Sequence, residues 1–486
     1  MSHIPNGWYM VLNRLPEGEF PGTSTPDSHP DTSMDISYEL RLDLWEGDFP
    51  QKRPPLTAPV IVTDRGHFGN EARTLKRDAL CRKLGGWIDV DPTTDAPAPD
   101  DIPWIMSRHL ETPDLSLATM LRDEAKNAGA RGLKIVFPSE TSLSTRTRLL
   151  QLCRDTDFPC VAFCLSGHGD ADRLSALEEG QPWGYLTADE DKTGNDKIPG
   201  ISEVIHRYQW PRISHVEKRF VVIGHQVSQS LSPDWHNSVL ADYQIPARFH
   251  HWSTEHPDEI LTNETPLNFD AIAITAPHKK WARTQGLGVD SFAEGMPAWN
   301  TLLKSAENRW QGTSTDGIAA LDLLEDREVS ITRIVIMGGG GAALSLAHAI
   351  QDAGGEAQLL SRSAQENSTQ YPELHWSSDD DTLRSATTLI NATGTDPEST
   401  VDWPWDLNLF QGEVFMDLDY SRDPSVITSQ FAHHRSLTVI DGLDFFAAQA
   451  RRQAKWMYGV DISAKEARDR LDVILKRRTE GHFPRN

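Results

Sequence analysis

Lys279 and Asp316 stand in short stretches whose residue order is hard to reach by chance. Lys279 ends Ile274-Thr275-Ala276-Pro277-His278-Lys279, and Asp316 sits in Gly312-Thr313-Ser314-Thr315-Asp316-Gly317. Between them lies Asn300, in Ala298-Trp299-Asn300-Thr301, and upstream lies Ser230-Leu231-Ser232-Pro233. Oxidising a secondary alcohol needs a base for the hydroxyl proton while a hydride leaves to nicotinamide. A Lys of lowered pKa can be that base, and a neighbouring Asp can orient it and share the proton path. The surrounding hydroxyl and amide donors suit a polyhydroxylated acid.

A place for the nicotinamide carrier follows downstream. Gly338-Gly339-Gly340-Gly341-Ala342-Ala343 comes after the strand-like Arg333–Ile336 and opens a helix expected over Ala342–Asp352. Small residues there, Gly338, Gly340, Gly341 and Ala342 above all, let the backbone approach a pyrophosphate at the helix N-terminus. The next strand candidate ends near Leu360, where an NAD site usually carries an acid. Ser361-Arg362-Ser363 stands there instead. Arg362 can pair with a 2′-phosphate and stack on adenine, which points to NADP.

A second chemistry is written near the N-terminus. Tyr38-Glu39-Leu40-Arg41-Leu42-Asp43 alternates charge with apolar residues, putting three charges on one face of a strand. Arg65, His109, Lys134 and Arg173 follow, each close to a strand end or a turn. A Lys on an apolar barrel strand is expensive to bury unless its pKa falls. A lowered pKa is what an imine-forming Lys needs, and a nearby His supplies acid/base work.

The elements that must position these groups alternate strand and helix. Strand candidates are Ile36–Leu44, Val60–Thr63, Trp87–Val90, Trp104–Ser107, Leu133–Phe137, Val161–Leu165 and Trp183–Leu186, with helical periodicity at Leu115–Ala128 and Ser142–Arg154. This favours an α/β protein opening with a (β/α)8 barrel, abridged because the connections around its first four strands are short. The boundaries read as an irregular arm over 1–34, the barrel over 35–216, a catalytic domain over 217–328 plus 443–475, and a Rossmann-like domain over 329–442. Residues 209–219 look like a linker, and Leu443–Leu475 is expected to be helical.

A length of 486 residues calls for two to four domains. The formal charge of −24 argues against nucleic acid and anionic membranes as partners. Cys81, Cys153, Cys160 and Cys164 form no CxxC pair and no metal cluster, so no metal is expected. No apolar run approaches a membrane span and no signal-peptide pattern opens the chain, so a cytoplasmic monomer or homodimer is expected.

The order and spacing from about 218 to 475 resemble shikimate dehydrogenase. The resemblance implies that Lys279 and Asp316 are catalytic and that Ser230 and Ser232 bind the substrate carboxylate. It also implies that Thr275, Asn300 and Gln449, in Phe445-Phe446-Ala447-Ala448-Gln449, hold substrate hydroxyls. The pattern departs at Ala273, at Ser314 and in Asn391-Ala392-Thr393-Gly394-Thr395, whose Asn391 would line the nicotinamide side. Residues 33–208 resemble type I 3-dehydroquinate dehydratase. By that resemblance Lys134 forms a Schiff base, His109 moves the protons, and Glu39, Arg41, Arg65 and Arg173 bind substrate. The acid that orients the catalytic His in that family is replaced by Gly69, with Glu71 two residues on, and the late lid reads Lys197-Ile198-Pro199-Gly200-Ile201.

Together the resemblances imply a bifunctional enzyme of aromatic amino acid biosynthesis. It would convert 3-dehydroquinate to 3-dehydroshikimate, and that product to shikimate with NADPH. Two alternatives follow from the same residues. One is a catabolic quinate or shikimate dehydrogenase with a weak or inactive dehydratase half. The other is a non-catalytic sensor, which predicts loss of catalytic groups that are all present here.

Overall fold

The structure, a computed structural model, describes residues 7–12, 36–45, 59–66, 69–138, 141–154, 157–165, 170–188, 198–261, 268–285, 288–289, 293–394, 405–420, 427–428 and 437–479. They divide into two compact units. The first takes its residues from 1–219, from 226–269 and from 477 onward, the second from 220–225 and 270–476.

The first unit opens with eight strands: β1 (Gly7–Leu12), β2 (Ile36–Arg41), β3 (Val60–Thr63), β4 (Trp87–Val90), β5 (Trp104–His109), β6 (Leu133–Phe137), β7 (Cys160–Cys164) and β8 (Trp183–Thr187). They lie in the order β7-β6-β5-β4-β3-β2-β1-β8, and every neighbouring pair is parallel. Such strands are buried on both faces, which is why they read as apolar runs rather than alternations. Among the described residues no ladder joins β7 to β8, so the barrel is nearly closed. Helices α1 (Glu71–Leu84), α2 (Leu115–Asn127), α3 (Leu143–Arg154) and α4 (Asp170–Glu178) follow β3, β5, β6 and β7. Residues 91–103 join β4 to β5 without a helix, so the barrel is abridged there. Asn70 and Asp114 cap α1 and α2 by accepting backbone N–H bonds of the first turn.

Three local expectations change. The stretch expected to be an irregular arm contains β1, which pairs with both β2 and β8. Period-two patterning failed to mark it because Trp8, Tyr9, Met10 and Leu12 are all buried. The strand expected over Ile36–Leu44 stops at Arg41 and becomes a 3-10 turn, Leu42–Leu44. The segment expected to be a linker is clamped. Arg248 donates to the carbonyls of Tyr208 (3.0 Å) and Ile213 (2.6 Å) and lies over the Trp210 ring. Its guanidinium also pairs with the buried Glu178 carboxylate at 2.7 Å, which Arg219 reaches at 2.9 Å.

Strand β9 (Lys218–Gly224) carries the chain from the first unit into the second. The first unit then continues with α5 (Ser232–Asp242) and β10 (Ala247–Ser253), where the Asn237 amide exchanges two 2.8 Å bonds with the Phe249 backbone. The second unit continues with β11 (Ala271–Ile274), α6 (Lys279–Thr284), β12 (Gly288–Val289), β13 (Thr301–Lys304), β14 (Trp310–Thr313) and α7 (Thr315–Asp326). Its strands run β9-β11-β13-β14-β12, parallel at either end and antiparallel where β13 meets β11 and β14.

Next come β15 (Ile334–Met337), α8 (Gly341–Asp352), β16 (Ala357–Leu360), α9 (Ala364–Gln370), β17 (His375–Ser377), β18 (Thr388–Asn391), β19 (Val414–Asp417) and β20 (Thr438–Ile440). The order β17-β16-β15-β18-β19-β20, all parallel, is a doubly wound sheet whose strand order reverses between β15 and β18. The helical tail is two helices, α10 (Gly442–Tyr458) and α11 (Ala464–Thr479), broken at Gly459 in the left-handed region with φ 77°. Asp322 of α7 binds Arg451 and Arg452 of α10, fixing the face that carries Gln449.

Candidate active sites

In the barrel, the side chains at the ends of different strands converge on Lys134. Its Nζ donates to Asp89 Oδ2 at 2.8 Å and to Glu39 Oε1 at 3.4 Å. Asp89 is fully buried and is shared: its other oxygen pairs with Arg65 at 2.8 Å. Arg65 also pairs with Asp95 at 2.5 Å, and Glu39 accepts the Thr63 hydroxyl at 2.7 Å. Burial alone would raise the Asp89 pKa, but Arg65 and Lys134 hold it well below the usual carboxylate range. Ser107 stands directly opposite Lys134 in the β5–β6 ladder and donates to Asp89 at 3.3 Å.

His109 is two residues beyond Ser107, so it lies on the same face of β5, about 7 Å further along. Lys134 and Arg65 are both near enough to act on its charge. Its residue is exposed overall, yet the ring is desolvated by its surroundings. That desolvation, followed by the positive Lys134 and Arg65, pushes its pKa down to about 4. A neutral imidazole at pH 7 is ready to accept a proton. Arg173, on α4, is buried with its guanidinium over the Phe163 ring at 4.4 Å. Arg41 is half-buried and held by Asp43 through two bonds of 2.6 and 3.0 Å. Gly69 has φ 86° and Glu71 is an exposed first-turn residue of α1. Ile198 and Pro199 of the lid are described; Lys197 lies outside the described residues.

In the second unit, Lys279 Nζ donates to Asp316 Oδ2 at 2.6 Å. The other Asp316 oxygen accepts from Asn300 Nδ2 at 2.8 Å, and Asn300 also meets Thr315 Oγ1 at 2.9 Å and Gln449 Oε1 at 3.4 Å. Lys279 starts α6 and Asp316 lies in the first turn of α7, so two helix starts bring the pair together. Thr275, at the end of β11, is half-buried, and its N–H donates to Ile223. Ser230 and Ser232 lie in the first unit, where the Ser230 hydroxyl accepts the N–H of Ser232 at 3.2 Å as α5 begins.

The glycine turn stands beside this pair. A Cβ on Gly341 would come within 2.7 Å of Lys279 Cβ, so glycine is what lets α8 begin there. Gly338 has φ 126° and presses on the Ala392 carbonyl, at the point where the strand order reverses. Space around Gly340 is open, and Ala342 lies in the first turn of α8. Arg362 is exposed and makes no hydrogen bond or ion pair with another described residue. Open backbone at a helix N-terminus and an unengaged guanidinium fit a phosphorylated dinucleotide. Ser361 instead turns inward, toward Asn367 (3.4 Å) and the N–H of Ser363 (3.3 Å). Asn391 is buried and spent on Asp417 (2.8 Å) and Thr393 (2.6 Å), so it braces the loop. Ser314 donates to Ser345 of α8 at 3.1 Å, and Ser345 donates to the Ala298 carbonyl at 3.1 Å.

Two contributors escaped the sequence reading. Asp89 was legible as an acid inside the apolar Trp87–Val90, the same anomaly that marks Lys134. Gln453 donates to Thr301 Oγ1 at 2.9 Å and to the Asn300 carbonyl at 3.3 Å, and its spacing of four from Gln449 was the available signal. Among the described residues, the groups that could gather round a metal are Asp379, Asp380 and Asp381, away from both lysines in sequence. No described helix is long and apolar enough to cross a membrane.

Residues 222–302 match the shikimate dehydrogenase substrate binding domain. The chloroplastic bifunctional 3-dehydroquinate dehydratase/shikimate dehydrogenase of Arabidopsis thaliana is 24% identical over 367 residues, covering 67% of this chain and 60% of that protein. The NADP(+) shikimate dehydrogenase of Anaeromyxobacter dehalogenans strain 2CP-C is 33% identical over 144 residues, 29% of this chain and 51% of that one. A shikimate 5-dehydrogenase from Thermus thermophilus, solved with NADP(H) and shikimate, is 26% identical over 53% of this chain and 99% of its own, with a TM-score of 0.47. The chain thus spans half to three-fifths of the two curated relatives.

Proposed function

We propose that the chain is a bifunctional shikimate-pathway enzyme of aromatic amino acid biosynthesis. One half dehydrates 3-dehydroquinate to 3-dehydroshikimate, and the other reduces that product to shikimate with NADPH. The observation that carries the reading is the 2.6 Å Lys279–Asp316 pair lying against the start of the glycine-turn helix. The similarity to the bifunctional plant protein supports the coupling of the two activities in one chain.

In the dehydrogenase half the backbone at Gly338, Gly340, Gly341 and Ala342 would hold the pyrophosphate, and Arg362 the 2′-phosphate. NADPH, when bound, supplies the hydride. Lys279 then gives its proton to the carbonyl oxygen as that oxygen becomes a hydroxyl, and Asp316 holds the amine in place. Asn300 fixes Asp316 by a neutral bond, which orients the carboxylate without adding a charge. Thr275 and Gln449 would orient the substrate, and the resemblance assigns its carboxylate to Ser230 and Ser232.

In the dehydratase half Lys134 attacks the substrate ketone and forms an imine. His109, neutral, takes the adjacent carbon proton and returns one to the departing hydroxyl. Glu39, Arg41, Arg65 and Arg173 would bind the substrate. Buried free cysteines support a reducing compartment such as the cytoplasm, and the proposed working form is a monomer or homodimer. The deciding assay supplies 3-dehydroquinate and NADPH and follows both NADPH loss and shikimate. Shikimate from 3-dehydroquinate is expected. Reduction of 3-dehydroshikimate alone would restrict the activity to the second half, and no reduction of either would sink the reading.

A further inference from the structure

Lys134 has a third neighbour besides its two carboxylates. The Tyr185 ring of β8 has its centroid 4.6 Å from Nζ, within cation–π range. Its surroundings fix the ring. The hydroxyl accepts the Trp183 indole N–H at 3.0 Å, Phe163 meets the ring edge-on at 5.8 Å, and Tyr9 lies 6.3 Å away. Only 2% of the residue is exposed, so no water competes for the ring face. Burial pushes the phenol well above its usual range, and Tyr185 remains a neutral π surface.

We propose that Tyr185 is a positioning residue for imine chemistry at Lys134, its ring face holding the cationic nitrogen once at least one of its carboxylate bonds has been given up. The proposal rests on the reading that Lys134 forms an imine with a ketone substrate. An ammonium and a ketone give an iminium and one water, with the positive charge on nitrogen before and after. On the way a neighbouring base takes a proton from the ammonium. The lone pair of the neutral amine forms the C–N bond while the carbonyl π pair moves to oxygen. That oxygen gains two protons, the one the base took and a second given up by the now cationic nitrogen, and leaves as water, while the lone pair so freed on nitrogen closes the C=N bond. What changes is the donor count. The ammonium has three N–H donors, of which Asp89 and Glu39 engage two, whereas the iminium keeps one. At least one carboxylate bond must therefore be lost on forming the adduct. A π face needs no donor, and its attraction survives the change. It favours the iminium relative to any side chain that would leave the nitrogen against aliphatic carbon.

The test traps the adduct with borohydride, which delivers hydride to the imine carbon, in the full chain with subsaturating 3-dehydroquinate. Mass spectrometry reads the fraction of Lys134 modified. Tyr185→Leu should lower the trapped fraction and the dehydratase kcat/KM together, by about tenfold for a desolvated cation–π contact. Tyr185→Phe keeps the ring and should recover to within about threefold of the natural protein. Far-UV and near-UV circular dichroism and the urea unfolding transition of the same samples report that the barrel is folded. If the leucine variant fails to fold, Tyr185→Met, a closer filler of the space, carries the same comparison. Equal trapping in the natural, leucine and methionine forms overturns the proposal, as does a phenylalanine variant that falls as far as leucine. Either result leaves the imine reading standing. No adduct in the natural protein overturns both.

Discussion

Lys134 and Lys279 each meet an aspartate, at 2.8 and 2.6 Å, yet the two pairs are held differently. Around Lys134 the partners are charged. Asp89 serves both Lys134 and Arg65, Glu39 adds a second acid, and Asp95 takes the other side of Arg65. Around Lys279 the next partner is neutral, the Asn300 amide, backed by Thr315, Gln449 and Gln453. A buried network of charges is self-compensating, so losing one member strands the rest. A chain of neutral amides and hydroxyls orients a single ion pair, so losing the ion affects chemistry more than folding. Lys134 is thus part of what holds its fold together, whereas Lys279 stands on a finished scaffold.

The sharpest way to break this contrast is at Lys279. Lys279→Ala should lower dehydrogenase kcat by about 10²–10⁴-fold, the range for a positioned acid/base, with NADPH binding and Tm little changed. A large fall in Tm would erase the distinction. At the other site Asp89→Asn should cost about 3 kcal/mol in urea unfolding at pH 7, because it leaves Lys134 and Arg65 partly uncompensated in the interior. The folded Asp89 pKa lies below its unfolded value. Its contribution is therefore complete above the unfolded carboxylate pKa of about 4 and is lost as pH falls below that. The stability gap between the natural protein and Asp89→Asn should accordingly narrow on acidification below about pH 4, and a constant gap would contradict the assignment.

Cofactor choice tests whether the second unit is a finished scaffold. Arg362→Ala should lose about 1.5–3 kcal/mol in kcat/KM for NADPH, the scale of a charge-assisted bond, and almost nothing for NADH. Equal losses for both would remove Arg362 from the 2′-phosphate. For the barrel, the ring of His109 is depressed to about 4, so it stays neutral well below the ordinary histidine range. The acid limb of dehydratase kcat/KM from this group should lie near pH 4; a limb near 6.5, the unperturbed histidine value, would show His109 solvated and free of its cationic neighbours. The smallest effect is expected at Gly69, whose φ of 86° suits glycine. Gly69→Glu should destabilise by about 1 kcal/mol through backbone strain, although the space around the position is open. An unchanged Tm would show that the loop relaxes and can present an acid.

Much of the framework was legible in the residues. Val60–Thr63, Trp87–Val90 and Leu133–Phe137 are strands over the ranges their apolar runs suggested, and the glycine turn lies between a strand and a helix. What escaped was whatever lacked a local signature. β1 is a mixed aromatic run after a short polar start, and it becomes a strand because β2 and β8 both supply ladders. The 209–219 segment looked like a linker because Pro211 and polar residues dominate it, but Arg248, distant in sequence, ties down the carbonyls of Ile213 within it and of Tyr208 just before it.

The amino-acid order by itself determined the chemical kinds present: one lysine inside an apolar strand and another in a polar motif, a histidine, a glycine turn, and an arginine where an acid would select NAD. Residue type and spacing carry that information because they act within a few positions of chain. Partnership was decided only by the tertiary structure. Nothing along the chain joins Lys134 to Asp89, 45 residues away, or tells Ser361 and Asn391 to brace loops while Arg362 stays free. Those choices depend on which strands become neighbours and on burial, which makes an unpaired charge too costly to keep and so selects its partner from across the barrel.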